Sequence, residues 1–375
     1  MQATGYFHVE REPIYPSSAR SRRCGGGLPF LLTTPTRMAN EFETISFLTQ
    51  DGVTCNLKHL KSSKSGGEPV LLVHGAGVRG NIFNPPTAKN LITTLAEAGY
   101  DVWLENWRGS IEVTPNEWDL DKAARYDHPA AVQKVVELTG FKHIKAIIHC
   151  QGSTSFMISV MLGLVPQVKL IISNAVSLHP VVPSYSVFKL NVFVPVVKLL
   201  FRYLNPQWGL KAPGIKEKLL RLIVKTTHRE KDTLVGKFVS FTYGAGFPAL
   251  WELDNLDKPT MDWIQHEFAN VPLTFFTHIT RCVKAGVLVP NQKDATTTYA
   301  PDLPPLTARV VLFGGRKNKC FLAESQERSF DYLQRVDPGV HRLYILEQYS
   351  HLDVFLGKNA HQDVFPLMLQ ELSQL

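Results

Sequence analysis

Apolar and polar positions follow two alternating rhythms along much of the chain. Short aliphatic runs at 70–73, 102–105, 144–149 and 169–173 are interleaved with longer stretches of helical spacing, at about 87–98, 119–138 and 151–163. A strand covered on both faces reads as a continuous apolar run, so this alternation predicts βαβ units in a mostly parallel, doubly wound sheet. Ahead of them, 42–48 and 53–60 read as an antiparallel pair joined at Asp51-Gly52, a dipeptide suited to a tight hairpin. After Leu306 the rhythm resumes, with strands at 309–313 and 342–346 and an amphipathic helix from about His361 to Leu372.

Between 181 and 305 the alternation is lost, and proline, aromatic and basic residues take its place. The pattern predicts an α/β core over 40–180 and 306–375, a helical cap over 181–305, and a flexible leader over 1–39. Within 185–235 there are ten Lys and Arg against three Asp and Glu, a local excess equal to the net charge of +7 of the whole chain. A basic cap suits a solvated helix face, an acidic carrier protein or a peripheral lipid contact.

With 375 residues, 44% hydrophobic and 19% charged, the chain can bury a sizeable core, and the composition excludes a disordered protein. A charge of +7 is too small to argue a nucleic-acid partner. Five widely spaced cysteines, none in a CxxC pair, argue against a disulfide framework and against zinc. The leader holds one short apolar run, 28–32, too brief for a secretory signal, while Glu10 and Glu12 weaken a transit-peptide reading of Arg20, Arg22 and Arg23. Lys198 and Arg202 interrupt the stretch 190–204, which is shorter than the roughly 20 apolar residues of a spanning helix. A cytoplasmic protein without a transmembrane span is expected.

Candidate chemistry begins at Gly75-Ala76-Gly77-Val78-Arg79-Gly80, a G-x-G-x-x-G after a strand. As a dinucleotide fingerprint it needs a following helix and an acidic residue about twenty positions on. Pro85 and Pro86 would break that helix, and Glu105 lies too far along, so no nicotinamide or other cofactor is expected. A His-Gly turn after a buried strand can instead aim backbone N–H groups at an oxyanion.

The matching nucleophile is Cys150, in Ile148-His149-Cys150-Gln151-Gly152. Strand, sharp turn and helix present the central side chain of such an elbow, and Gly152 supplies one of the small neighbours it needs. Ile148 takes the other small position, and a buried inert cysteine is the competing reading. His351, in the loop between the last strand and the last helix, can share the thiol proton. The loop after 309–313 offers Asn318 where an aspartate would orient the imidazole. A neutral amide suffices for a cysteine, as in Cys-His-Asn proteases. Asp353 is the alternative orienter, although two residues from His351 it suits a loop-capping role better.

Together these motifs resemble the α/β-hydrolase fold, and more closely the hydrolase-like region fused to cholesterol-oxidase-type flavoproteins. The resemblance spans about 42–375 and is carried by His74-Gly75, 99–103, Arg108-Gly109-Ser110, 126–132, 149–153, His179-Pro180, Thr277-His278, Asn318 and His351-Leu352-Asp353 with Gly357. The flavin-binding half of those proteins is absent, so oxidase activity is not implied. The resemblance implies a Cys150, His351, Asn318 triad and oxyanion donors at the backbone of Ala76 and Gln151. Tyr243, Thr277 and His278 match recurring cap positions and count as candidate substrate contacts. Arg108 and Asp127 are expected to tie loops to the sheet.

The expected activity is acyl transfer through an acyl-thioenzyme, as an esterase, thioesterase or acyltransferase, including lactone formation on a polyketide-like chain. Phe193 and its apolar neighbours in the cap suit a hydrophobic acyl group. The basic residues suit an acyl-carrier protein or a coenzyme A thioester. The alternative is a non-catalytic protein of the same shape that carries a lipid or sterol.

Overall fold

The computed structural model describes residues 6–9, 40–62, 66–292 and 296–374. Its strands are β1 (Tyr6–Val9), β2 (Phe42–Leu48), β3 (Thr54–Leu60), β4 (Pro69–Val73), β5 (Asp101–Asn106), β6 (Ile144–His149), β7 (Val168–Asn174), β8 (Tyr203–Leu204), β9 (Val271–Pro272), β10 (Arg309–Gly315) and β11 (Arg342–Leu346). Nine of them form one sheet in the order β1-β11-β10-β7-β6-β4-β5-β3-β2. Pairing is antiparallel at β2–β3 and β3–β5 and parallel elsewhere in the sheet. Every residue of β4, β5 and β6 is buried, as expected of central strands covered by helices on both faces.

The chain passes from β4 to β5 on one side and then returns to place β6 on the other side of β4. Ligands of open α/β sheets bind at the carboxyl ends of strands flanking such a reversal. The turn after β4 carries His74-Gly75, and the turn after β6 carries His149-Cys150.

Several expected boundaries move for local reasons. The first helix runs Leu91–Glu97 and not from about 87, because Asn90 and Thr93 form a reciprocal cap. The expected helix 119–138 passes through a widened turn at Ala123–Asp127 before His128–Thr139. The last helix divides into Ala360–Asp363 and Phe365–Leu372, with a proline opening the second piece. The expectation of a flexible leader is corrected at Tyr6–Val9, which pairs with β11 as the sheet's edge strand. The remaining leader positions, with Cys24, lie outside the described residues.

Two buried polar clusters brace the loops around the nucleophile turn. Arg108 donates to both carboxylates of Asp51 and Asp127, at 2.7–2.9 Å. His128 bridges Glu105 at 2.8 Å and Ser155 at 2.7 Å, and Ser155 belongs to the helix Cys150–Met161. No solvent reaches Glu105, His128 or Ser155, so this Ser-His-Glu set is a structural brace. Above the sheet, a continuous helical run over 184–200, the helices Ile215–Thr227, Leu234–Tyr243 and Leu273–Ala285, and the β8–β9 ladder form the cap.

Candidate active site

Cys150 opens the helix Cys150–Met161 directly after β6, with φ at +56°. Positive φ is rare for a residue bearing a Cβ, and here it turns the thiol up from the strand end while aiming the helix N–H groups at the same point. The crossing is tight. A Cβ on Gly75 would lie 2.9 Å from the Cys150 Cβ and 3.3 Å from its Sγ, so the turn after β4 rides directly over the thiol. Ile148 fits beneath as an ordinary buried strand residue, paired in register with Val73.

The turn after β4 is pinned from three sides. Trp107 Nε1 donates to the His74 carbonyl at 2.9 Å, Tyr243 Oη to the Ala76 carbonyl at 3.1 Å, and the Gly77 N–H to the Gly109 carbonyl at 3.0 Å. Gly77 has φ +68°, and a Cβ there would fall 2.2 Å from Val271 Cγ2, so the sequence's G-x-G serves this turn and not a nucleotide. Ala76, in the turn after β4, and Gln151, in the first turn of the helix, therefore flank the sulfur, with the Gln151 N–H among the groups that favour its thiolate.

His351 reaches the same point from the loop after β11. Ligand atoms of His149, Cys150 and His351 lie within 4.8 Å of one another, which sets the His351 imidazole against the Cys150 thiol. Asn318 Nδ2 sits 3.1 Å from His351 Nδ1, while Asn318 Oδ1 accepts from the Cys320 N–H at 2.9 Å and the Phe321 N–H at 3.1 Å. Asp353 is corrected as an orienter: its oxygens accept from the Glu252 N–H, Asn255 Nδ2 and the Ser350 N–H, at 2.7–3.2 Å, and hold the loop.

Two residues that the sequence reading did not single out complete the cluster. Asn174, at the end of β7, donates from Nδ2 to His149 Nδ1 at 3.0 Å and to the His351 carbonyl at 3.2 Å. Its signal was an amide ending a buried strand beside the nucleophile strand. Cys320, two positions past Asn318, lines the same pocket beside Cys150. Burial resists ionisation of Cys150, but the neighbouring Cys320, the charge and N–H of His351 and the Gln151 N–H outweigh it and hold the thiol well below its ordinary value. Cys320 is pushed well above its own by burial and by Cys150. Burial keeps His149 neutral, far below the usual imidazole range.

His149, Cys150 and His351 do not suit a metal. A metal-bound imidazole donates its second N–H to an acceptor, whereas here each Nδ1 meets an amide N–H. Asp119, Asp121 and His278 also cluster. Their atoms are occupied by Lys122 N, Asn291, Tyr299, Leu120 N and the Val289 carbonyl.

Cys150 and Cys320 line an apolar cavity that opens towards solvent beneath the cap, with Leu190, Phe193, Phe241, Phe275, Phe276 and Phe321 in its walls. Of the expected substrate contacts, Tyr243 and Phe193 line it. Thr277 and His278 are corrected: Thr277 is exposed on its helix beside Lys198, and His278 is buried between Leu120 N and the Val289 carbonyl. Lys189, on the cavity wall, donates to the carbonyls of Phe241 and Gly244 at the end of the helix Leu234–Tyr243, and burial lowers it to about 8.

Lipase 1 of Drosophila melanogaster is 32% identical over 357 residues, covering 89% of this chain and 77% of that protein. The chain belongs to the lipase family. Sterol esterase 2 of Saccharomyces cerevisiae is 29% identical over 141 residues, which is 33% of this lipase-family chain and 26% of the yeast protein, about a quarter of that relative's length. A thermophilic esterase from Thermogutta terrifontis matches with a TM-score of 0.55 at 14% identity, over 88% of this chain and 98% of that one, which shows the fold to be that of the α/β-hydrolases. No protein-family model matches the sequence. These relatives place the chain among ester hydrolases of the α/β-hydrolase superfamily.

Proposed function

We propose that this lipase-family protein works through an acyl-thioenzyme: Cys150 attacks an ester or thioester carbonyl, and the acyl group then passes to water or a hydroxyl. The observation that carries the reading is the Cys150 thiol, held at φ +56° at a helix N-terminus against His351 and in the wall of an apolar cavity. A thiolate beside a histidine is a competent nucleophile, and N–H groups of Ala76 and Gln151 are the oxyanion donors of this reading. The elbow cysteine is one of the motifs on which the likeness to the flavoprotein-fused hydrolase-like regions rests.

The aromatic walls suit a long aliphatic or polycyclic acyl group, delivered as an ester, a coenzyme A thioester or an acyl-carrier adduct, with lactone formation as the intramolecular case. On the cap, Phe188, Val196, Leu199, Ile215 and Leu219 are exposed among the basic residues, a surface that suits anionic lipid or an acidic carrier. Thiol chemistry goes with a reducing, cytoplasmic compartment. A non-catalytic lipid or sterol carrier is the second reading, favoured by Asn318 standing where a carboxylate would.

Intact-protein mass spectrometry after mixing with a panel of acyl esters and thioesters separates the two. An acyl increment that disappears in Cys150→Ala is expected. Binding of the same ligands without any increment would leave the carrier.

A further inference from the structure

Most of the cavity wall beneath the cap is aromatic or aliphatic, yet Ser186, Lys189 and Thr242 border it as well. Lys189 is the charged member. Its ammonium donates to the carbonyls of Phe241 and Gly244, at the end of the helix Leu234–Tyr243, where the helix dipole favours a cation. Those acceptors use two of its three hydrogens. Among the described residues no carboxylate pairs with it, and burial leaves it at about 8, so at neutral pH it still carries its charge. Nor is it the counter-charge of the Cys150 thiolate, which Cys320, His351 and the Gln151 N–H lower.

The two hydroxyls belong to the same stretch of wall. Ser186 precedes Lys189 by three positions in the helical run 184–200, a spacing that sets two side chains on one face. Thr242 stands between Phe241 and Gly244, the residues whose carbonyls hold the ammonium. Ser186 and Thr242 are each 7% exposed, and neither side-chain oxygen has a hydrogen-bond partner. A buried hydroxyl left unpaired costs free energy that an apolar side chain of the same shape would not. Two of them beside an ammonium without a counter-charge make a group of donors, and a carboxylate has the acceptors they lack.

We propose that Lys189, Ser186 and Thr242 form a subsite for a carboxylate carried on the acyl chain, so that the substrate class is the half-ester or half-thioester of a dicarboxylic acid. The proposal deepens the acyl-thioenzyme reading and rests on it for the end of the chain that reacts: one end meets Cys150, the other the ammonium. In apolar surroundings a carboxylate gains more from an ammonium than it does in water, whereas an uncharged chain end leaves the cation unpaired. The aromatic walls hold either chain; the subsite chooses between the ends. The excess of basic residues over 185–235 favours entry of an anion by the same sign.

The test uses N-acetylcysteamine half-thioesters of straight-chain dicarboxylic acids, from succinic to dodecanedioic, each beside the analogue whose free end is a carboxamide. Acylation of Cys150 at low substrate is followed by intact mass. At the chain length that spans the two groups, the wild type is expected to favour the acid over the amide by at least about tenfold. Lys189→Met is expected to abolish that ratio, and Ser186→Ala with Thr242→Val to cut it about threefold in a folded protein, since both hydroxyls are unpartnered. If Lys189 only capped its helix, its loss would lower the melting temperature and leave the ratio alone. Calorimetric titration of Cys150→Ala with the same pairs reads the subsite without the nucleophile, and the acid is expected to bind at least about tenfold more tightly. Equal binding of acid and amide at every length, or a folded Lys189→Met that keeps the ratio, overturns the subsite. A preference in binding that is missing from acylation overturns the substrate class, because the chain then does not reach both groups. An increment that survives Cys150→Ala overturns the nucleophile, and the calorimetry then still decides the subsite.

Discussion

A Cβ on Gly152 would lie 2.1 Å from the His74 carbonyl oxygen, so the nucleophile helix and the turn after β4 touch through bare backbone. Gly152→Ala must push that turn away, and with it the Ala76 N–H. The expected result is a loss of about 1–3 kcal/mol in stability by urea denaturation, as for other overpacked sites, and a fall of at least about 100-fold in acylation, as when an oxyanion donor is displaced. Wild-type rates in the variant would show that the Ala76 loop is not part of the site.

The thiols should separate by reactivity. Burial lifts Cys282 to about 12 and Cys55 further still, while the donors around Cys150 lower it. At pH 7, iodoacetamide is expected to alkylate Cys150 at least about 100-fold faster than Cys55 or Cys282, read by peptide mapping. Equal rates would favour the carrier reading.

Much of this was legible in the sequence because it is written in local patterns. Strands β4, β5, β6, β7, β10 and β11 announce themselves as apolar runs, and the Asp51-Gly52 hairpin as a turn dipeptide. Cys150 and His351 could be placed because each follows a strand end. Residues whose roles depend on distant partners were harder. Asn174 and Cys320 carry no signature of their own, and Thr277 and His278 fail because a short motif says nothing of which helix face meets the cavity. Tyr6–Val9 pairs with a strand more than 330 residues away, beyond the reach of any local rule.

Arg108 is nearly inaccessible between Asp51 and Asp127. Arg108→Met would leave the Asp127 carboxylate buried without its counter-charge, and a loss of about 3–5 kcal/mol is expected in denaturant titration. Arg108→Lys keeps the charge but not the fork, and should fall between. A cost under about 1 kcal/mol for Arg108→Met would mean that solvent reaches Asp127.

Asp353 gives the fold a pH dependence of known sign. Burial raises its carboxyl to about 6, above the roughly 3.9 of an unfolded chain. The native state thus holds this proton more tightly, and the resulting stability is full below about pH 4 and lost as the pH rises through 6. The loss is about 2–3 kcal/mol. Equilibrium denaturation between pH 4 and 7 should show a slope flattened by that amount in Asp353→Asn, itself weaker at all pH values because one donor loses its acceptor. An unchanged slope would place the titration elsewhere.

Leu199 and Ile215 are 85% and 86% exposed on the basic cap. Leu199→Asp with Ile215→Asp is expected to lower partition into anionic vesicles by about tenfold at an unchanged melting temperature. Undiminished partition would remove the cap as the lipid-facing surface.

His149 and Asn174 are register partners at the carboxyl ends of β6 and β7. The amide that steers the imidazole is thus set by a ladder of main-chain bonds, and a slip of one residue would turn it to the opposite side of the sheet. Chemistry at the sulfur inherits its tolerance from strand alignment, which makes the placing of this imidazole a property of the scaffold more than of the loops above it.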